Sequence, residues 1–448
     1  MSSTRTTHRR SPNPGGGSSD GLAHAALGRL RTAREGARII GGIYRDRAVQ
    51  TYAARVRRDP LARLHLPAAQ DDPYPIYDQI RARGPLSKTR LGDYVSASHS
   101  ICTEVVRSRS FGAFDTEPAP GDPSPREMLD LSLLQLNPPE HTRLRRLAAP
   151  AFTPRRMVAY EALVEQRIHR LLDAVDPAAG FDLVRDFAAP LPIAVISELL
   201  GVPDVDEAEF AGYGSTLATA LDGLQSIGHV RRLVTAQRRL YRVFEDLFER
   251  RTAEPRDDLV STLLAKQSEQ ADQITPATLS ALCRLLLVAG FETTVNAIGN
   301  GVRALLADPE QWRLLVEDPR RAEAAVEEVL RYDPPVQLTG RAVLTDTELA
   351  GVALPSGRAV VLLLAGANRD PDAYDDPNRF DLTRTPGPEH LAFSGGIHYC
   401  LGAPLARLEL AAALRALALR LPDLRLAGPV RMARGTAIHG AVSIPVKA

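Results

Sequence analysis

The most informative stretch of the chain is residues 393–402, which read Phe-Ser-Gly-Gly-Ile-His-Tyr-Cys-Leu-Gly. Three glycines within eight residues allow tight turns and a close approach of the backbone to a flat ligand. Cys400 lies just before a helix that Ala403-Pro404 is expected to open. The positive end of that helix lowers the pKa of a thiol and favours thiolate, and His398 can offer a hydrogen bond or charge to an anion. The pattern therefore indicates a reactive or ligating cysteine, and the alternative is a buried structural cysteine in a glycine-rich turn.

The composition bounds the class of protein. The chain has 448 residues, 44% of them hydrophobic and 24% charged, with a net charge of +1. This is ordinary for a soluble globular protein and selects no partner such as nucleic acid. Three cysteines exclude a disulfide framework and a multi-cysteine metal cluster, and Cys102 and Cys283 are expected to be core residues. No apolar run approaches the ~20 residues that span a bilayer, so we expect no membrane span and a cytoplasmic location.

The first 60 residues stand apart from the rest. Residues 1–65 hold 13 arginines and only four acids, and we expect residues 1–60 to be an arginine-rich, partly flexible extension of one domain over 61–448. Residues 22–58 are expected to form one or two helices. These could dock a membrane surface or an acidic partner, or simply pack as a solvated extension beside the domain.

A long helix is predicted in the second half of the chain. Thr275-Pro276 is a helix start, and the apolar pattern after it runs to Leu306. In its middle, residues 289–294 read Ala-Gly-Phe-Glu-Thr-Thr. Glycine followed by two threonines is a poor choice for a regular helix, so room for a ligand is one explanation. Glu292 beside Thr293 is a plausible proton-delivery pair, and a chance polar patch facing solvent is the alternative.

Two further patterns involve paired charges. Glu328 and Arg331 lie at i and i+3 on one helical face, which taken alone is usually a surface ion pair. His141 and Arg145 lie at i and i+4 after Pro138-Pro139. Taken singly, such residues are most often solvated surface.

Together these segments resemble the cytochromes P450, the haem–thiolate monooxygenases, over roughly residues 70–448. In residues 393–402 the family pattern is matched at Phe393, Gly396, His398, Cys400 and Gly402. The departure is Ser394, where the family usually has glycine, and serine can occupy this turn if its backbone angles are ordinary. The resemblance implies a mainly α fold with a small β region, a single triangular domain enclosing haem.

The resemblance also implies roles for residues. Cys400 would be the proximal iron ligand, with Phe393 and Gly402 beside the haem, and Ala289 and Gly290 would leave space over it. Thr293 would stabilise bound oxygen while Glu292 relays protons. Glu328, Arg331 and Arg379 would form a structural triad. The haem propionates would be held by His141, Arg145, Arg341 and His398.

The function implied is oxidation of a small organic substrate, in secondary metabolism, with haem b and O2. No glycine-rich dinucleotide fingerprint opens a βαβ unit, so electrons from NAD(P)H would arrive through a separate ferredoxin and ferredoxin reductase. Weaker expectations place the substrate pocket at the loop 111–134, the region 205–230, and at Val288, Phe291, Val336, Leu338 and Ile438. Three alternatives remain at this stage: a haem–thiolate enzyme using peroxide or coupling aromatic rings, a haem-binding sensor without turnover, and a helical protein without haem.

Overall fold

The computed structural model describes residues 41–114, 132–202, 207–269 and 274–448. The expectations for the tail at 1–20, for most of the loop 111–134 and for the first part of the 205–230 region lie outside or at the edge of these ranges. In the part that is described, helices dominate and the strands are short. The prediction of a mainly α fold with a small β region is confirmed.

The described helices, numbered in chain order, are α1 (residues 41–55), α2 (Pro60–Arg63), α3 (Pro67–Asp71), α4 (Tyr74–Arg81), α5 (His99–Arg107), α6 (Ser132–Gln135), α7 (Glu140–Ala148), α8 (Pro154–Ala174), α9 (Pro190–Leu200), α10 (Glu207–Ala218), α11 (Ile227–Ala253), α12 (Leu259–Glu269), α13 (Pro276–Ala307), α14 (Pro309–Glu317), α15 (Ala322–Tyr332), α16 (Leu364–Ala367) and α17 (Ala403–Arg420). Short 3-10 turns occur at Ala149–Phe152, Thr219–Asp222, Pro319–Arg321 and Gly396–His398, and a π-helical turn at Val184–Ala188.

Helix α13 is the central element of the helical core. It begins where the sequence predicts, because Pro276 occupies its first turn and the Thr275 hydroxyl accepts a hydrogen bond from the Thr278 N–H. Its 32 residues pack against α9, α10, α11, α14, α15 and α17. By length and composition α13 could cross a membrane, but 78% of its most apolar window is buried inside the protein. That is the placement of a core helix.

The strands form a small β region beside the helices. They are β1 (Ser87–Lys88), β2 (Tyr94–Ser96), β3 (Phe111–Gly112), β4 (Phe181–Asp182), β5 (Thr339–Val343), β6 (Thr347–Leu349), β7 (Val352–Leu354), β8 (Ala359–Leu362), β9 (Arg425–Leu426), β10 (Arg431–Met432), β11 (Ala441–Ser443) and β12 (Pro445–Lys447). The largest sheet has the order β1-β2-β8-β5-β3, parallel only between β2 and β8. The other sheets are β4-β12-β9, β10-β11 and β6-β7.

The described part of the N-terminal extension is ordered and contacts the main domain. Helix α1 buries Ile43, Ala53 and Ala54, and the last two pack against Ala62. The Arg47 guanidinium donates to the Gln225 carbonyl at 2.6 Å, in the turn that precedes α11. Helix α1 lies within residues 22–58, where one or two helices are expected, and residues 22–40 lie outside the described ranges. The division of the chain at residue 60 stays a prediction.

Candidate active site

The loop before α17 closes on itself and lies against α5. The Cys400 N–H donates to the Phe393 carbonyl at 3.0 Å. A Cβ atom on Gly396 would come within 2.1 Å of the Val106 carbonyl oxygen, and one on Gly395 within 2.6 Å of a Val106 methyl carbon. These two glycines are therefore required by packing against α5. This reason for glycine differs from the predicted one, which was a close approach of the backbone to a flat ligand. Gly402 has only ordinary contact with Phe152.

The Cys400 thiol is held by opposing influences. The backbone N–H groups of Gly402 and Ala403 and the nearby Arg145 lower its pKa, as the sequence predicts. Burial raises the pKa and outweighs these contributions. The helix end therefore lowers the pKa of the thiol in the expected direction, and a positive charge next to the sulfur would favour the deprotonated form further.

Ser394 has an uncommon backbone conformation for a residue other than glycine. Its φ is +59°, in the left-handed region that usually takes glycine. The condition of ordinary backbone angles is therefore not met at Ser394. In this strained conformation the Ser394 hydroxyl accepts a hydrogen bond from Arg341 Nη2 at 3.2 Å.

Arg341 is a buried cation without an anion in the described part of the chain. Its Nη1 donates to the Thr339 hydroxyl at 2.8 Å and to the Gly340 carbonyl at 2.9 Å. No described carboxylate pairs with it, and burial lowers the pKa of the guanidinium to about 10. Buried charges normally have a counter-charge, so the surroundings of Arg341 fit an anionic group that this chain does not supply.

His141, Arg145 and His398 belong to the same cluster as Arg341. The rings of His141 and His398 have centroids 4.4 Å apart. Both ring nitrogens of His141 and Nε2 of His398 are buried without a hydrogen-bond partner. Burial, together with Arg341, His141 and Arg145, lowers the pKa of His398 to about 3.

Arg145 links this cluster to the cysteine loop, since its Nη2 donates to the Tyr399 carbonyl at 2.7 Å. The structure thus brings together the four residues that were predicted to hold propionates. Unsatisfied donors around a cysteine loop are the cradle that a haem with two carboxylates would complete. Among the described residues no cluster of three or more His, Cys, Asp or Glu side chains could hold a metal ion.

The middle of α13 has side-chain bonds to its own backbone. The Thr293 hydroxyl donates to the Ala289 carbonyl at 2.7 Å, and Thr294 donates to the Gly290 carbonyl at 3.0 Å. Ala289 is exposed although its helix is the centre of the core, which is the environment expected beside a ligand site. Gly290 does not leave such space. A Cβ atom there would lie 3.2 Å from Cδ1 of Ile196 on α9, so this glycine serves helix packing, and its haem role stays a prediction.

Glu292 is connected to the neighbouring helix α10. Its Oε2 accepts a hydrogen bond from the Ser215 hydroxyl at 2.7 Å, and its backbone carbonyl accepts one from Asn296 Nδ2 at 2.9 Å. Gly214 allows α10 to approach closely, since a Cβ there would be 3.2 Å from the Phe291 ring. The half-buried acid next to Thr293 is therefore fixed by a partner 77 residues away.

The Glu328–Arg331 pair is buried, and its third side chain differs from the prediction. Arg331 donates to both carboxylate oxygens of Glu328 at 2.8 Å. The side chain that joins them is Arg384, whose Nε lies 3.2 Å from each oxygen. Arg379 is exposed and contributes only its carbonyl, which accepts from Arg331 at 2.9 Å. The assignment of Arg379 as the triad side chain is wrong, because the turn presents its backbone to the pair.

The residues proposed for the substrate pocket divide into two groups. Val336 and Ile438 are brought together by an antiparallel bridge, and Leu338 is half-buried two residues further along. Val288 and Phe291 are buried in the helical core while Ala289 is exposed. They contact the hydrophobic core of the helices, and their placement as pocket-lining residues stays a prediction.

Comparison with known proteins identifies the class that this fold and site define, which is a haem–thiolate protein. A family model described as Cytochrome P450 matches residues 228–420. The chain is 39% identical over 415 residues to "Putative cytochrome P450 140" of Mycobacterium bovis, covering 88% of this chain and 93% of the relative. It is 41% identical over 315 residues to 6-deoxyerythronolide B hydroxylase of Saccharopolyspora erythraea, covering 69% and 76%.

A solved structure agrees with the sequence comparisons. Ligand-free CYP164A2 of Mycobacterium smegmatis superposes with a TM-score of 0.80 at 41% identity, covering 87% of this chain and 99% of that one. The chain therefore belongs to the cytochrome P450 family. It is a monooxygenase of that family, in which haem and O2-dependent oxidation are shared features.

Three functional contacts were not found from the sequence. Ser215 and Arg384 lie far along the chain from the acid that each one binds. Arg407 stacks over the Phe393 ring at 4.7 Å and binds Glu327 at 2.6 Å. For Arg407 there was a usable signal, because a position seven residues after Cys400 returns to the same side of α17 as the loop. For the other two no local pattern exists.

Proposed function

We propose that this chain binds haem b through Cys400 and oxidises a small, mostly apolar organic substrate with O2 and two electrons from a separate carrier. The observation that carries the proposal is the basic cluster at the cysteine loop, where Arg341, His141 and the Nε2 atom of His398 are buried without an anionic partner among the described residues. A porphyrin with two propionates supplies the missing charge. Cys400 follows His398 by two residues and lies just before the start of α17.

Haem ligated by a thiolate supplies the reducible metal at which O2 is activated and the O–O bond is cleaved. The chain's own groups hold it in place. Arg341 and Arg145 provide charge-assisted hydrogen bonds to the carboxylates, and His141 and His398 donate ring N–H groups. With propionates bound, the pKa of His398 rises from its depressed value, because a negative charge replaces part of the surrounding positive charge.

The overall reaction balances with two electrons and two protons. One oxygen atom of O2 enters the substrate and the other leaves as water. We assign proton delivery to Glu292 and Thr293. Glu292 is held at 2.7 Å by Ser215, and the Thr293 hydroxyl can turn from the Ala289 carbonyl toward the site, because Ala289 is exposed there. Both groups are catalytic under this proposal.

The substrate class follows from the residues at the Val336–Ile438 bridge and from the relatives. These side chains are apolar. A relative that shares 41% identity is named for hydroxylation of 6-deoxyerythronolide B. We propose hydroxylation or epoxidation of a lipophilic compound of secondary metabolism.

We also propose that electrons come from NAD(P)H through a separate ferredoxin and its reductase, and that the enzyme works in the cytoplasm. No dinucleotide fingerprint of the Gly-x-Gly-x-x-Gly type opens a strand–helix unit in the sequence. The three cysteines cannot bind a plant-type iron–sulfur cluster in addition to haem. The chain is therefore expected to need both proteins for turnover.

Haem ligation is tested by the carbon monoxide difference spectrum of the dithionite-reduced protein. We expect a thiolate-type Soret band that Cys400→Ala abolishes. Cys283→Ala is the matched control, since it removes a fully buried thiol from α13. An unchanged band in Cys400→Ala would overturn the ligand assignment and the mechanism with it.

Turnover is tested separately with ferredoxin, reductase and NADPH. Macrolactones and other lipophilic compounds are first screened for a high-spin shift of the Soret band, and then for NADPH use that matches the product formed. A compound that shifts the spectrum but yields no product with two redox systems would support a sensor and contradict the enzyme.

A further inference from the structure

The outward face of helix α1 is apolar, although it points away from the protein. Tyr44 and Tyr52 are each 54% exposed, Val56 is 63% exposed and Val49 is 46% exposed. The Val56 N–H still bonds to the Tyr52 carbonyl at 2.9 Å, so this residue continues the helical face. An exposed helix face is normally polar, and contiguous exposed apolar side chains mark an interaction surface.

The same face also carries basic side chains. Arg45 and Arg55 are exposed on it, and Arg57 and Arg58 follow directly after the helix. Among residues 41–58 the acid is Asp46, which is paired with Arg45. The opposite face holds Ile43, Ala53 and Ala54, which pack into the protein. The helix is therefore anchored by one side and presents tyrosine, valine and arginine with the other.

We propose that the outward face of α1 docks on an anionic membrane surface. Tyrosine rings and the stems of arginine side chains suit the boundary between lipid headgroups and acyl chains, and guanidinium groups bind lipid phosphates. The proposal concerns peripheral contact and requires no span. The contact itself does not depend on the oxidation chemistry proposed above, and only its use in substrate delivery rests on that proposal.

Charge complementarity favours lipid over the other possible occupants of this face. Residues 1–40 carry seven arginines and two acids, so they have the same sign of charge as α1 and add to its attraction for an anionic surface. A second copy in a two-fold contact would place the arginines of two such faces against each other. An anionic lipid surface neutralises all of them.

The position of α1 connects the proposed membrane contact to the proposed substrate pocket. Arg47 bonds to the carbonyl of Gln225, three residues after Asp222. The Asp222 carboxylate accepts the N–H groups of Thr436 and Ala437 at 2.7 and 2.8 Å, and Ile438 of the bridge with Val336 comes next. The docked face thus adjoins segments that connect to the proposed pocket, where a lipophilic substrate would arrive from the membrane.

The test is co-sedimentation of the full-length holoprotein with vesicles of phosphatidylglycerol and phosphatidylcholine. We expect binding that rises with the phosphatidylglycerol fraction and falls with salt. Replacing Arg45 and Arg55 together by glutamine is expected to weaken binding roughly 25-fold, at about fivefold per arginine. Tyr52→Ser with Val56→Ser is expected to weaken it about tenfold or more, since apolar contact is lost.

Matched controls are available elsewhere on the surface. Val158→Ser removes a valine that is 71% exposed on α8, and Arg320→Gln removes an arginine whose side chain is 91% exposed. Both are expected to bind vesicles like the wild type, and every variant is checked for an unchanged Soret spectrum.

Three results would overturn the proposal. The first is no binding to pure phosphatidylglycerol at low salt. The second is binding that the α1 variants leave unchanged, which would place it on other residues. The third is a protein that does not bind vesicles but dimerises with rising concentration, where the dimer is lost in the variant that combines Tyr52→Ser with Val56→Ser.

Discussion

Single substitutions around Glu328 should show that Arg384, and not the Arg379 side chain expected from the sequence, stabilises the Glu328–Arg331 pair. Glu328 and Arg331 are 5% and 4% exposed. In Glu328→Gln the Arg331 charge stays buried without its counter-charge. Breaking a buried pair in this way costs about 3–5 kcal/mol of the free energy of unfolding.

Arg384 and Arg379 should differ sharply. Arg384 donates to Glu328 at 3.2 Å and to the Arg379 carbonyl at 2.7 Å, so Arg384→Ala should cost about 2 kcal/mol, the scale of a charge-assisted hydrogen bond. Arg379→Ala removes an exposed side chain and keeps the carbonyl that Arg331 uses. Its effect should stay within about 0.5 kcal/mol.

The assay is urea unfolding followed by tryptophan fluorescence. Trp312 is the single tryptophan of the chain and its Nε1 donates to the Pro422 carbonyl at 2.8 Å, so its emission reports the helical core. In a thermal scan, an unfolding entropy of roughly 2.1 cal/mol/K per residue means that a loss of ~4 kcal/mol lowers the Tm of a chain this long by about 4 °C.

The order of the three effects is the decisive outcome. If Arg379→Ala destabilises the protein as much as Arg384→Ala does, the placement of the arginine turn is wrong. If Glu328→Gln is neutral, the buried charge of Arg331 has another partner.

Three further predictions concern single side chains. Ser394→Gly should be more stable than Ser394→Ala by about 1 kcal/mol in urea unfolding, because both lose the hydroxyl but only glycine relieves the positive φ; equal stability would contradict the left-handed backbone. Burial raises the pKa of Glu409 to about 8, so the folded protein keeps a proton that the unfolded chain releases, and stability should fall as pH rises from about 4.5 to about 8. Glu409→Gln should flatten that pH dependence, and an unchanged slope would assign it to other groups. Ser215→Ala should reduce the fraction of NADPH electrons recovered in product, while Thr216→Val, whose hydroxyl bonds only to the Gly212 carbonyl in its own helix, should not; equal effects would remove Ser215 as the positioning partner of Glu292.

Much of the fold and of the site could be predicted from local sequence. The start of α13 follows from Thr275 and Pro276, whose capping chemistry acts within one turn. The start of α17 follows in the same way from the proline after Ala403. The placement of His141 and Arg145 on one face of α7 depends on helical spacing alone. The cysteine loop was recognisable because its residues are consecutive and its chemistry needs a fixed spacing to the helix.

Tertiary structure decided the contacts between distant segments. Glu292 meets Ser215 across 77 residues and Glu328 meets Arg384 across 56, and no periodic pattern relates positions so far apart. Gly290 could be read as space for a ligand or as space for Ile196, because the sequence does not show which neighbour faces a missing side chain. The sign of φ at Ser394 was hidden for a similar reason. A serine accepts that conformation only where the surrounding structure enforces it, and here the loop is held against α5 on one side and Arg341 on the other.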